Sequence, residues 1–259
     1  MTSGRAAVRD IHCHIGAPLA AEELIALMDR GGVETACVFV TPFRWSVPDH
    51  AAYEDTNDFI ADSVRRFPGR LIGFACVNPY ISPGKELRRC ILQLGLRGVK
   101  IHPENHCFAV DGLAGGEMME TLAALQQQTG RKIPVLSHGM TTIGAMPDQF
   151  GRLAGRYPQL NFVIAHAAGF QNLYFPSLQA VLEHDNLYVD TAMTTVDDLR
   201  LREVLKLLGP GKVLFGSDHF ARGQENLYGN FTFVLERAIP DESQRRMVLG
   251  GNLAGILEL

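Results

Sequence analysis

The first hydrophobic run of the chain holds Asp10-Ile11-His12-Cys13-His14. On a β-strand, side chains two apart share a face, so His12 and His14 point the same way, with imidazoles close enough to grip one ion, while Cys13 faces away. Neutral imidazole is the commonest ligand for zinc-class cations. With nine histidines in the chain such a pair is weak evidence alone, since strand-end histidines also occur as ordinary surface or core residues. Its weight depends on where the other polar side chains fall.

Those positions are set by short β-branched runs alternating with longer amphipathic ones, a pattern that occurs eight times. The first strand is expected to end at His14, and the others to cover Val33–Val40, Leu71–Val77, Gly98–Ile101, Ile133–Ser137, Asn161–Ala165, Leu187–Thr191 and Val213–Ser217. Helices are expected near Ala20–Arg30, Tyr53–Phe67, Gly84–Leu94, Met118–Gln128, Pro147–Arg156, Leu173–His184 and Val196–Leu208, with two more at Asn226–Ala238 and Glu242–Leu249. Eight strand–helix units without a linker-like composition break predict a single (β/α)8 TIM barrel over residues 1–259. The alternative, an open doubly wound sheet, lacks the G-x-G-x-x-G or P-loop such sheets carry. Cys107, Asp111 and Gly115-Gly116 are expected in a long loop after the fourth strand, a candidate lid.

At 46% apolar and 20% charged residues, the 259-residue chain has the balance of a globular protein. Its net charge of −4 is mild and its charges are scattered singly, which argues against nucleic acid or an anionic membrane as partner. No apolar window approaches a membrane span, and no secretory signal precedes the first strand. Five widely spaced cysteines without a C-x-x-C pair point to reduced thiols and a cytoplasmic setting.

In a barrel of this kind chemistry sits where the strands end. Strand one delivers His12 and His14, strand four Lys100 and His102, strand five His138, strand six His166, and strand eight Asp218 followed by His219. Plain alternatives exist: His138 as a strand-end cap, His166 as a partner of a nearby loop, Asp218 as a helix N-cap. A carboxylate aimed into an apolar barrel, however, needs a cation or donors to offset its desolvation. Lys100 reads as a structural ion-pair partner, a substrate-binding ammonium, or a carboxylated lysine bridging two metals. Arg44 and Arg222, in loops after strands two and eight, could form bidentate contacts with a substrate carboxylate between Trp45 and Phe220, or be solvated.

These segments, together with Gly98-Val99-Lys100-Ile101-His102-Pro103, Val163-Ile164-Ala165-His166-Ala167-Ala168-Gly169, Leu214-Phe215-Gly216-Ser217-Asp218 and Gly251-Asn252-Leu253-Ala254-Gly255-Ile256-Leu257, resemble the amidohydrolase superfamily in order and spacing. The branch they resemble is amidohydrolase-2, which includes aminocarboxymuconate-semialdehyde decarboxylase, aromatic-acid decarboxylases and lactone hydrolases. The resemblance implies a metal held by His12, His14, His138 and Asp218, with His166 as the histidine that contacts substrate or metal-bound water. It implies one divalent ion, zinc first and manganese next. The alternative is a second ion with a carboxylated Lys100.

The activity expected first is hydrolysis of a small lactone, ester or amide bearing a carboxylate. Asp218 would accept the proton of a metal-activated water, His166 would polarise the carbonyl, and Lys100, His102, Arg44 and Arg222 would bind substrate. Non-oxidative decarboxylation of an aromatic or enol acid is the alternative; the chain's shortness relative to decarboxylases weighs against it. A catalytically silent binding barrel ranks third. The partners implied are a small-molecule substrate and, by family similarity, a second copy in a homodimer.

Overall fold

Eight parallel strands lie in the order β1 to β8, each paired with its neighbour in sequence. The computed structural model describes residues 7–16, 19–40, 53–139, 143–166, 178–192, 198–219 and 227–259. In chain order the elements are β1 (Val8–His14), α1 (Ala21–Gly31), β2 (Val33–Phe39), α2 (Glu54–Arg66), β3 (Leu71–Cys76), α3 (Pro83–Leu92) and β4 (Gly98–Ile101). There follow α4 (Pro103–His106), α5 (Leu113–Thr129), β5 (Val135–Ser137), α6 (Pro147–Arg156), β6 (Phe162–Ile164), α7 (Gln179–Leu182) and β7 (Leu187–Asp190). The last elements are α8 (Asp198–Leu208), β8 (Val213–Leu214), α9 (Leu227–Ala238), α10 (Glu242–Arg246) and α11 (Asn252–Leu257). Backbone bonds from Ile11 to Phe215, His14 to His219 and Asp218 to His12, at 2.7–3.0 Å, join β1 to the chain beyond β8 and complete a (β/α)8 TIM barrel.

Strand periodicity divides the apolar residues into two layers. Ala36, Val38, Ala75, Val99, Ile101, Val135, Ile164, Val189 and Val213 face outward and pack under the helices. Cys37, Phe39, Phe74, Cys76, Leu136, Val163 and Leu214 face inward and fill the barrel. In β1 the alternation breaks: Ile11 joins the inner cluster and Cys13, two residues later, the outer one. The register against β2 shifts between Asp10 and Cys13, a β-bulge of the kind found beside active sites.

Local chemistry explains the helix ends. In α1, Leu24, Leu27 and Met28 form the buried stripe, and Glu23 reaches back to the Ala20 N–H at 2.9 Å. Pro147 opens α6.

Three expectations change. Gly115 and Gly116 lie inside α5 and not in a loop, and the Val110 carbonyl stands 1.9 Å from where a Cβ on Gly115 would be, so this stretch is tightly packed helix. The strand expected over Val213–Ser217 stops at Leu214 because side chains claim the next amides: Gly216 N–H donates to Thr191 Oγ1 and Ser217 N–H to Asp10 Oδ1, both at 3.0 Å. The helix expected over Glu242–Leu249 ends at Arg246, and a π-turn over Met247–Gly251 leads into α11, the Val248 carbonyl accepting the Phe215 N–H at 2.9 Å. Of the helix expected over Leu173–His184, residues 178–184 are described, and there the helix, α7, ends at Leu182. Among the described residues no helix is long and apolar enough to cross a membrane.

Candidate metal centre

The bulge in β1 and the side-chain capture of the β8 extension bring three ligand-type side chains to one point. His14 Nε2 lies 3.0 Å and His12 Nε2 3.2 Å from Asp218 Oδ1. All three residues are buried, and their ligand atoms lie within 4.8 Å of one another. The His12 and His14 rings are 5.2 Å apart, as strand alternation requires of residues sharing a face. Phe39 meets the His14 ring edge-on at 4.6 Å and walls the site from below.

Electrostatics make these groups donors. Burial keeps the His12 imidazole well below its ordinary pKa, with the Lys100 charge adding to the effect, and burial likewise lowers His14 and His166. All three are therefore neutral, with a lone pair to offer, near pH 7. Burial alone would raise the Asp218 carboxyl, but the hydrogen bond with His14 and the attraction to any proton held by His12, His14 or His166 outweigh it and hold the group below the usual carboxylate range. Neutral imidazoles facing a buried carboxylate are a donor set that fits a divalent ion.

His166 and Asp218 share a rare feature. Both have left-handed backbones, with φ of 69° and 55°. A left-handed conformation at a non-glycine residue costs roughly 1–3 kcal/mol and persists where the surroundings over-determine it, typically at functional sites. His166 Nδ1 stands 4.0 Å from Asp218 Oδ2.

The other expected site residues are placed as follows. Lys100 is buried, its Nζ 3.1 Å from His12 Nε2 and 4.9 Å above the Phe39 ring, and burial brings its pKa down to about 8. His138 is brought to His166, Nδ1 to Nε2 at 2.9 Å, one ring away from the His12–His14–Asp218 group. Its Nε2 faces Glu104 Oε2 at 3.3 Å, and its ring stacks on His102 at 4.0 Å, so His102, Glu104 and His138 form a second group of metal-ligating side chains. His102 Nδ1 also accepts the Asn105 N–H at 3.3 Å and caps α4. Arg44 and Arg222, with Trp45 and Phe220, lie outside the described residues.

Two buried carboxylates at the site, Asp10 and Asp190, are not among its expected residues. Asp10 Oδ1 accepts the N–H of His12 at 2.9 Å and of Ser217 at 3.0 Å, while Oδ2 accepts the Cys13 thiol at 3.0 Å. Burial pushes its carboxyl up to about 6, against the hydrogen bonds it receives. Asp190, the last residue of β7, lies 2.7 Å from His12 Nδ1 and accepts the His166 N–H. Asp190 obeys the same strand-end rule as Asp218, at the end of a strand that carries no histidine.

Comparison with known proteins places this geometry in context. No curated protein sequence matches the chain. Among solved structures it is similar to an amidohydrolase II, with a TM-score of 0.77 at 14% identity over 98% of this chain and 100% of the other. It is also similar to a dihydroxybenzoic acid decarboxylase from Polaromonas sp. with bound manganese and 2-nitroresorcinol, with a TM-score of 0.72 at 17% identity over 98% of each chain. A third likeness is to 5-carboxyvanillate decarboxylase from Sphingomonas paucimobilis, with a TM-score of 0.71 at 16% identity over 98% and 100% of the two chains. The sequence itself matches the family described as Amidohydrolase (Amidohydro_2) over residues 10–257, and with that match spanning nearly its whole length the chain belongs to the amidohydrolase family.

Proposed function

We propose that this chain is a metal-dependent decarboxylase of a small aromatic or enol acid. The observation that carries the reading is the meeting of two neutral imidazoles and one ionised carboxylate at the mouth of a barrel whose structural likenesses include decarboxylases of dihydroxybenzoic acid and 5-carboxyvanillate. His12, His14 and Asp218 would hold the divalent ion, and His138, whose Nδ1 faces His166 in this structure, would have to turn from that partner to serve as fourth donor; manganese and zinc are the ions to load. When bound, the ion supplies Lewis-acid polarisation and orientation of substrate oxygens.

The chain's own groups carry the rest. Loss of carbon dioxide leaves the electron pair of the broken carbon–carbon bond on the ring or enol carbon, where a proton must arrive. Asp218, ionised at rest, would take the proton of the substrate's own hydroxyl and, with His166 4.0 Å away, hand it to that carbon, the substrate oxygen regaining a proton from solvent. Lys100 and His102 line the floor where an anionic substrate would rest, with Arg44 and Arg222 as further contacts to its carboxylate.

Hydrolysis of a lactone, ester or amide, expected first from the sequence, draws on the same side chains. The argument from chain length against decarboxylation falls away, because the likenesses to decarboxylases extend over 98–100% of those chains. Manganese-loaded protein should release carbon dioxide from hydroxylated benzoic acids and leave lactones and amides intact. Hydrolysis of the latter without carbon dioxide would restore the hydrolytic reading, and protein that neither holds nor takes up metal would favour a silent barrel.

A further inference from the structure

His12 and His166 project from different parts of the barrel, yet one carboxylate touches both. Asp190 is buried; its Oδ2 lies 2.7 Å from His12 Nδ1, and its Oδ1 accepts the N–H of His166 at 2.8 Å and of Ala192 at 3.0 Å. β8 lies between β7, which carries Asp190, and β1, which carries His12. The residue just past β8 at this crossing is Gly216, and a Cβ built there would stand 3.0 Å from the His12 Cβ and 3.2 Å from the Asp190 Cβ and Cγ. The missing side chain leaves a narrow window in which the two side chains pack together, and a Cβ there would crowd both.

An acceptor on Nδ1 has a specific chemical effect. It places the ring proton on Nδ1 and leaves the lone pair on Nε2, the nitrogen 3.2 Å from Asp218 Oδ1. The bond to the His166 N–H meanwhile holds that residue's left-handed backbone, whose ring sits 5.2 Å from that of His12.

We propose that Asp190, seen through the Gly216 window, is a positioning residue that sets the tautomer and direction of His12 and the place of His166, and so tunes metal affinity from outside the donor set. The proposal rests on the metal-site reading above. It is tested with chelator-stripped protein titrated with manganese against a chromophoric chelator. Asp190→Asn should bind manganese about ten- to hundred-fold more weakly than the wild type. Asp190→Glu should recover part of the loss, and Gly216→Ala should weaken binding in the same direction. Unchanged affinity in Asp190→Asn overturns the proposal while leaving the metal site intact; a wild type that takes up no manganese overturns both. Should Asp190→Asn fail to fold, 15N NMR of histidine-labelled wild-type apoprotein decides, with His12 identified by its loss in His12→Asn. A protonated Nδ1 and bare Nε2 support the proposal, and the opposite tautomer sinks it.

Discussion

The two ends of the barrel are built on opposite principles. At the mouth, His12, His14, Lys100, His166, Asp190 and Asp218 are all buried and touch one another, and two of them sit on left-handed backbones. At the other end, the segment following the π-turn closes the cylinder with apolar side chains: Leu253, Ile256 and Leu257 join the interior cluster with Ile11, Phe74 and Leu214. Polar groups there tie distant segments together. Asn252 Nδ2 donates to the carbonyls of Pro210 and Val213, both at 2.7 Å, and the Arg97 guanidinium donates to the Leu257 carbonyl. The closed end is filled by apolar side chains, whereas the mouth gathers buried ionisable groups, an environment suited to binding an external cation.

That contrast can be broken or sharpened by experiment. The largest effect is expected at the mouth: Asp218→Asn should preserve the fold, read by circular dichroism, and lower turnover by orders of magnitude, and full activity would remove Asp218 from the mechanism. Next comes the closed end, where Leu253→Ala should cost roughly 2–5 kcal/mol of unfolding free energy in urea titrations without altering manganese affinity. Adding manganese at a hundred times its Kd to stripped protein should stabilise it by about 2.7 kcal/mol, seen as a rise in Tm that His14→Asn abolishes. Asn252→Ala should cost about 1–3 kcal/mol, because two partly buried carbonyls lose their donor.

The smallest effect lies away from both ends. Glu86 receives hydrogen bonds from Asn57 at 2.8 Å and from Arg89, whose combined effect outweighs burial and lowers its pKa. A carboxyl with a depressed folded-state pKa contributes stability above its unfolded value, 4.5 for glutamate, and loses it as the pH falls through the folded value. The Tm deficit of Glu86→Gln should therefore be largest near neutral pH and shrink below pH 4.5; a constant deficit would show that ionisation plays no part.

Much of this was legible beforehand because strand and helix periods are local properties. Gly98–Ile101 and Pro147–Arg156 are observed as expected, and the pairing of His12 with His14 follows from alternation alone. What escaped depends on contacts between distant segments. β8 ends early because Thr191 and Asp10 take its amides, 25 and 207 residues away in sequence. Asp190 becomes part of the site through a contact with His12, 178 residues away in sequence, packed against the side-chain-free Gly216.

Residue order and type alone determined the eightfold alternation, the barrel, and which strand ends carry ligand-type side chains, since these follow from periodicity and side-chain chemistry. Tertiary structure alone decided which of those side chains meet. It gathered His12, His14 and Asp218 and set His138 beside His166, His102 and Glu104, because distances across a closed barrel depend on register, bulges and the gap at one glycine.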